Sequence, residues 1–91
     1  MTEGTYRYPA ELRAALEDHG VSPSDQTSPD LVRAYLNDLY RYEIRRLKQR
    51  HLKGQVSKAD YVPQVIELRK KYFALSFTHD QWRVLVPMVD R

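Results

Sequence analysis

Apolar side chains recur along this chain at helical spacing, and three stretches carry the pattern clearly. Leu12, Ala15, Leu16 and His19 lie three and four residues apart and predict a first helix from Pro9 to about His19. Proline suits the opening position because the N–H it lacks has no intrahelical partner. Gly20 then reads as the left-handed residue past the helix end, with Val21 placed to touch Leu16 in a Schellman stop. Residues 22–28, Ser-Pro-Ser-Asp-Gln-Thr-Ser, have no pattern and read as a polar linker. Ser28-Pro29-Asp30 is a start signal made of a capping hydroxyl, a first-position proline and an acid at the positive helix end.

From Pro29 nothing breaks the second helix until Gly54. Its apolar arc holds Val32, Leu36, Leu39, Tyr40 and Leu47. Ser57 and Asp60 form an acidic variant of the capping box ahead of a third helix running to about Leu75. Pro63 either kinks that helix or precedes its regular part. The third arc holds Tyr61, Val62, Val65, Ile66, Leu68, Tyr72 and Phe73. Thr78-His79-Asp80-Gln81 repeats a capping pattern before a short last helix limited by Pro87. No segment reads as a strand. The expected fold is therefore all-α: a small bundle of three to four helices built on a long antiparallel hairpin of the second and third. A flexible tail is expected over residues 1–8 and a single helical domain over 9–91.

One acid and one base interrupt the two hairpin arcs. Glu43 falls in the middle of the second arc and Arg69 at the centre of the third. In an antiparallel hairpin turning at residues 54–57, positions whose numbers total about 111 face each other. Glu43 and Arg69 are then expected to meet as a structural ion pair that fixes the register.

Length and composition narrow the class further. Ninety-one residues without cysteine describe one small domain with no disulfide framework, thiolate metal site or cysteine nucleophile. No apolar run approaches the length of a membrane span, and the N-terminus lacks the pattern of a signal peptide, so a cytoplasmic location is the default expectation. The net charge of +3 conceals an asymmetry. Residues 1–30 carry six acids against two arginines, whereas residues 31–91 carry thirteen bases against six acids. The densest stretch, 41–58, has seven bases and Glu43 as its only acid. Such a split suits an anionic partner, or an acidic segment meeting the basic one.

The candidate functional residues follow from that stretch. Arg41, Arg45 and Lys48 share one outer face of the second helix, while Arg46, Arg50 and Lys53 are expected nearer the hairpin seam. Tyr35 and Tyr42, one heptad apart, flank the apolar arc, where a tyrosine buries its ring and keeps its hydroxyl wet. Tyr35, Arg41, Tyr42, Arg45 and Lys48 are thus the expected partner-binding set. His19, His51 and His79 stand apart near helix ends with no second metal ligand, and Ser22, Ser24, Ser28 and Ser57 read as turn or cap residues. No catalytic residues, metal site or cofactor are assigned, and an enzyme is not expected.

Two short segments resemble known families. Leu39-Tyr40-Arg41 is similar to the tripeptide of the LYR family, small helical adaptors in mitochondrial assembly and of acyl carrier proteins. In that family the tripeptide lies near the N-terminus with a phenylalanine further along; here it starts at residue 39 with no phenylalanine in the next thirty residues. Residues 77–85, Phe-Thr-His-Asp-Gln-Trp-Arg-Val-Leu, are similar to the helix that opens the winged-helix part of MarR-type regulators, with no recognition helix or wing after it. Each match covers under a tenth of the chain, and neither assigns a family. The expectation drawn from the residues is a small adaptor, regulatory or accessory protein that binds an acidic partner protein. Nucleic acid held by the same basic helix is the alternative, and self-association along the long helix has room to occur.

Overall fold

A computed structural model describes residues 5–89. The protein is all-α: it is 67% helical, and its only sheet among the described residues is one two-stranded ribbon. The elements in order are β1 (Thr5–Tyr6), α1 (Ala10–Glu17), α2 (Pro29–Leu52), α3 (Lys58–Lys71), a 3-10 turn (Phe73–Ser76), α4 (His79–Leu85) and β2 (Met88–Val89). They group into two compact units. One holds the chain as far as Tyr35 together with the residues from Phe77 onward; the other is Leu36–Ser76.

In the first unit, β1 and β2 pair antiparallel, Thr5 opposite Val89 and Tyr6 opposite Met88. This corrects the expected tail: residues 1–4 lie outside the described ones, but residues 5–8 are structured. The ribbon is two residues long on each side, too short for alternation to show in the sequence. It is held by long-range bonds, with Arg7 N–H donating to the Pro87 carbonyl at 3.0 Å and Tyr6 N–H to the Asp25 carbonyl at 2.6 Å. Tyr8 is buried, and its hydroxyl donates to the Thr27 carbonyl. Burial, with Tyr6 nearby, pushes the Tyr8 phenol up to about 12, although Arg13 pulls the other way.

The expected linker is an ordered turn. Ser24 N–H donates to Thr27 Oγ1 at 3.0 Å, and Thr27 N–H returns a bond to the Ser24 carbonyl at 3.1 Å. Short Ser and Thr side chains satisfy the backbone that no regular element pairs. Leu12, Leu16, Val32, Trp82 and Val86 are buried in this unit along with Tyr8.

Helix ends follow the chemistry of their residues. Gly20 has φ +73, and the paired bonds of a Schellman stop are present: Val21 N–H to the Leu16 carbonyl and Gly20 N–H to the Glu17 carbonyl, both 2.9 Å. Pro9 stands one residue before α1 in extended backbone rather than inside it. Ser28 Oγ accepts from Asp30 N–H at 3.3 Å at the start of α2. At 24 residues α2 is about 36 Å long. It stops at Gly54, φ +76, with the same bond pair: Gln55 N–H to Arg50 and Gly54 N–H to His51. Thr78 and Gln81 close a complete capping box on α4.

In the second unit, α2 and α3 pack against each other as an antiparallel hairpin. The Tyr40 and Tyr72 rings meet edge to face at 5.4 Å, and His51 stacks on Tyr61 at 4.5 Å. His51 Nδ1 also lies 2.8 Å from the Val56 carbonyl, an acceptor, which places the proton on that nitrogen. Leu36, Leu47, Val56, Tyr72 and Ala74 are buried here.

Helix three departs from expectation twice. The helix ends at Lys71 rather than near Leu75, because Tyr72 leaves helical geometry and a 3-10 turn follows, while Pro63 lies inside α3, within the alternatives the sequence left open. In addition, the expected arc is too wide. Tyr61, Val65 and Leu68 are half-buried, while Val62, Ile66 and Phe73 are exposed. A helix packed against one neighbour covers a single stripe, and the apolar residues outside that stripe stay in water.

Candidate docking surface

The surface of interest is built on α2 between Arg41 and Lys53. Its buried side is fixed by Leu36 and Leu47, eleven residues or about three turns apart. The positions rotated farthest from that line face solvent. Arg41, Arg45 and Lys48 form one exposed row that ends at Leu52, also exposed. Tyr42, Arg46, Gln49 and Lys53 form a second row beside it, and Arg50, exposed near the helix end, lies between that row and the buried line. The Arg46 guanidinium sits 5.8 Å from the Tyr42 ring centroid, a cation–π contact.

Four of the five expected binding residues, Arg41, Tyr42, Arg45 and Lys48, thus share this exposed surface. Tyr35, 52% exposed, belongs to the other unit. Arg46, Arg50 and Lys53, expected nearer the seam, are exposed as well and enlarge the cationic face to six side chains. Among the described residues none of the six takes part in an ion pair. The spacing of Tyr42 and Arg46, four apart, was the available signal for their contact.

Glu43, the one acid of this stretch, is turned away from the face. The expected partner was Arg69; that pairing is corrected. The Glu43 carboxylate accepts a hydrogen bond from the Tyr72 hydroxyl and lies 3.4 Å from Lys71 Nζ, while Arg69 is exposed. The register itself matches the expectation, since both ring contacts join residues whose numbers total 112. What differs is rotation. Lys71 and Tyr72 sit where α3 gives way to the 3-10 turn, and the chain there swings the Tyr72 hydroxyl onto Glu43.

A second polar cluster, in the first unit, gathers residues distant in sequence. His79 Nδ1 lies 3.4 Å from Asp30 Oδ1, and its Nε2 lies 3.3 Å from Arg33 Nη1. Arg33 Nε donates to the Phe77 carbonyl at 3.2 Å, and Arg83 approaches Asp30 at 3.7 Å. A guanidinium can only donate and an ionised carboxylate can only accept, so the arrangement assigns the His79 proton to Nδ1. These contacts tie the first turns of α2 to α4. They join residues more than forty positions apart, which no local pattern reveals.

Among the described residues no group of His, Cys, Asp and Glu is arranged to hold a metal ion, and no helix is long and apolar enough to cross a membrane. The geometry offers an extended, convex, cationic surface carrying one aromatic ring. No protein-family model, curated protein or solved structure matches the chain.

Proposed function

We propose that this chain is a small non-enzymatic adaptor, regulatory or accessory protein that docks an acidic partner protein on the Arg41–Lys53 face of α2. What supports the reading is the six-cation face over 41–53, whose one acid, Glu43, is withdrawn onto Tyr72 and Lys71, the exposed Asp38 standing a turn ahead of it. Cations on a preformed helix engage carboxylates with their positions already set by the backbone. Tyr42 and Leu52, 54% and 73% exposed, add apolar area of the kind that anchors an interface. A convex helical surface is suited to docking, in contrast to the concave pocket that substrates occupy.

The two parallel cationic rows also favour a second reading, in which the face tracks the phosphates of a nucleic acid and Tyr42 stacks on a base. A tagged pull-down from native lysate, split with and without nuclease, separates the two. The adaptor reading expects a stoichiometric protein that survives nuclease and is lost when Arg41→Glu is combined with Arg45→Glu. Loss of the partners with nuclease moves the face to nucleic acid. A partner retained by the double variant removes the face from both readings.

A further inference from the structure

The withdrawal of Glu43 has a counterpart of opposite sign in the first unit. Over residues 10–18 the acids are Glu11, Glu17 and Asp18, and the one base is Arg13. All three acids are exposed, and among the described residues none takes part in an ion pair. Arg13, by contrast, is turned inward: its Nη1 donates to the Pro23 carbonyl at 3.1 Å, and its guanidinium lies 5.6 Å from the Tyr8 ring centroid. Over residues 10–18 and 41–53 the one charge of minority sign is therefore used internally, and the helix presents a face of one sign, acidic on α1 and basic on α2.

We infer that the basic face of α2 takes the acidic face of α1 from a second copy of this chain. The spacings match. Glu11 and Asp18 are seven residues apart, as are Arg41 and Lys48, so both rows span about 10.5 Å along a helix. Ala10 and Ala14, both exposed, lie on the acidic face and let the two helices approach closely. Glu17, on the same face, is available to the Tyr42–Arg46 row. Every copy carries both halves of the contact, so association needs no other component. The inference goes beyond the adaptor reading and uses the same face; a foreign acidic partner would compete with the second copy.

Sedimentation velocity of the full chain over a range of concentrations tests it. Reversible self-association is expected at about 50 mM salt, with a dissociation constant at least about tenfold higher at about 500 mM, because exposed charge pairs are screened. Glu11→Lys with Asp18→Lys, and separately Arg41→Glu with Arg45→Glu, should each sediment as monomers. Mixing the two variants should restore association, since one keeps the basic face and the other the acidic face. The four positions are exposed and unpaired, so circular dichroism should report unchanged helix content. If either variant loses helix, the neutral forms (Glu11→Gln with Asp18→Asn, Arg41→Gln with Arg45→Gln) should weaken association instead.

Monomers at every concentration in low salt overturn the inference, and they leave the adaptor reading standing if the pull-down partner still depends on Arg41 and Arg45. Association that both reversals retain overturns it and moves the contact elsewhere, the exposed Val62–Ile66–Phe73 line being the next place to look. Association lost only in the basic-face variant, or abolished by nuclease, overturns it in favour of a different anionic occupant.

Discussion

The Glu43 contact offers a quantitative test of the hairpin. Tyr72 is 5% exposed and its hydroxyl donates to a carboxylate, a bond to a charged group worth about 1.5–3 kcal/mol net. Lys71 lies 3.4 Å from the same carboxylate with about half its side chain in water, which limits that pair to about 0.2–1 kcal/mol. Tyr72→Phe keeps the ring against Tyr40 and removes only the hydroxyl, so it should cost about 2 kcal/mol. For a chain of this size that corresponds to a fall in Tm of about 8–16 °C. Glu43→Ala should cost more, about 2–4 kcal/mol, because it also strands the Tyr72 hydroxyl.

Combining the two changes should recover about 1.5–2 kcal/mol relative to the sum of the singles, as expected for one shared bond. Arg69→Met, at an exposed position, should stay within about 0.5 kcal/mol of wild type and add to Glu43→Ala without coupling. Urea unfolding followed by circular dichroism measures the wild type and the five variants. A cost above about 2 kcal/mol for Arg69→Met, together with coupling to Glu43, would return the pairing to Arg69 and refute the geometry described.

Three further outcomes are expected. The folded state holds the Tyr8 proton more tightly than the unfolded chain, so its contribution to stability is intact below pH 10 and is lost as pH rises from about 10 toward 12. Tyr8→Phe should therefore be less stable at neutral pH by about 1 kcal/mol, and the gap from wild type should close along that alkaline limb; parallel pH profiles would contradict this. Gly54→Ala meets no atom within 4 Å but must hold φ +76, so it should cost about 1 kcal/mol, with Gly54→Asn closer to wild type in thermal melts. Thr78→Ala removes the capping box of α4 and should cost about 1 kcal/mol, seen also as faster amide exchange in the first turn of that helix.

The sequence read well wherever a feature is decided within a few residues. The Ser28-Pro29-Asp30 start, the Gly20 and Gly54 stops and the Thr78–Gln81 box all depend on side chains bonding to nearby backbone, and each is present in the structure. The same holds for the hairpin register, because Gly54 and Ser57 fix the turn and the turn fixes which residues face each other. The cationic face of α2 was legible for a related reason: Leu36 and Leu47 define the buried line, and the remaining positions follow from helical geometry.

Tertiary structure decided what local chemistry leaves open. A two-residue ribbon between Thr5–Tyr6 and Met88–Val89 has no periodicity to detect, and it exists only because the fold brings the two segments together. His79 takes its place between Asp30 and Arg33 for the same reason. The partner of Glu43 turned on where α3 stops, and that stop carries no glycine or proline to announce it. Residue spacing sets which way a side chain points on a helix, whereas the neighbour it meets depends on where a second helix begins, ends and rotates.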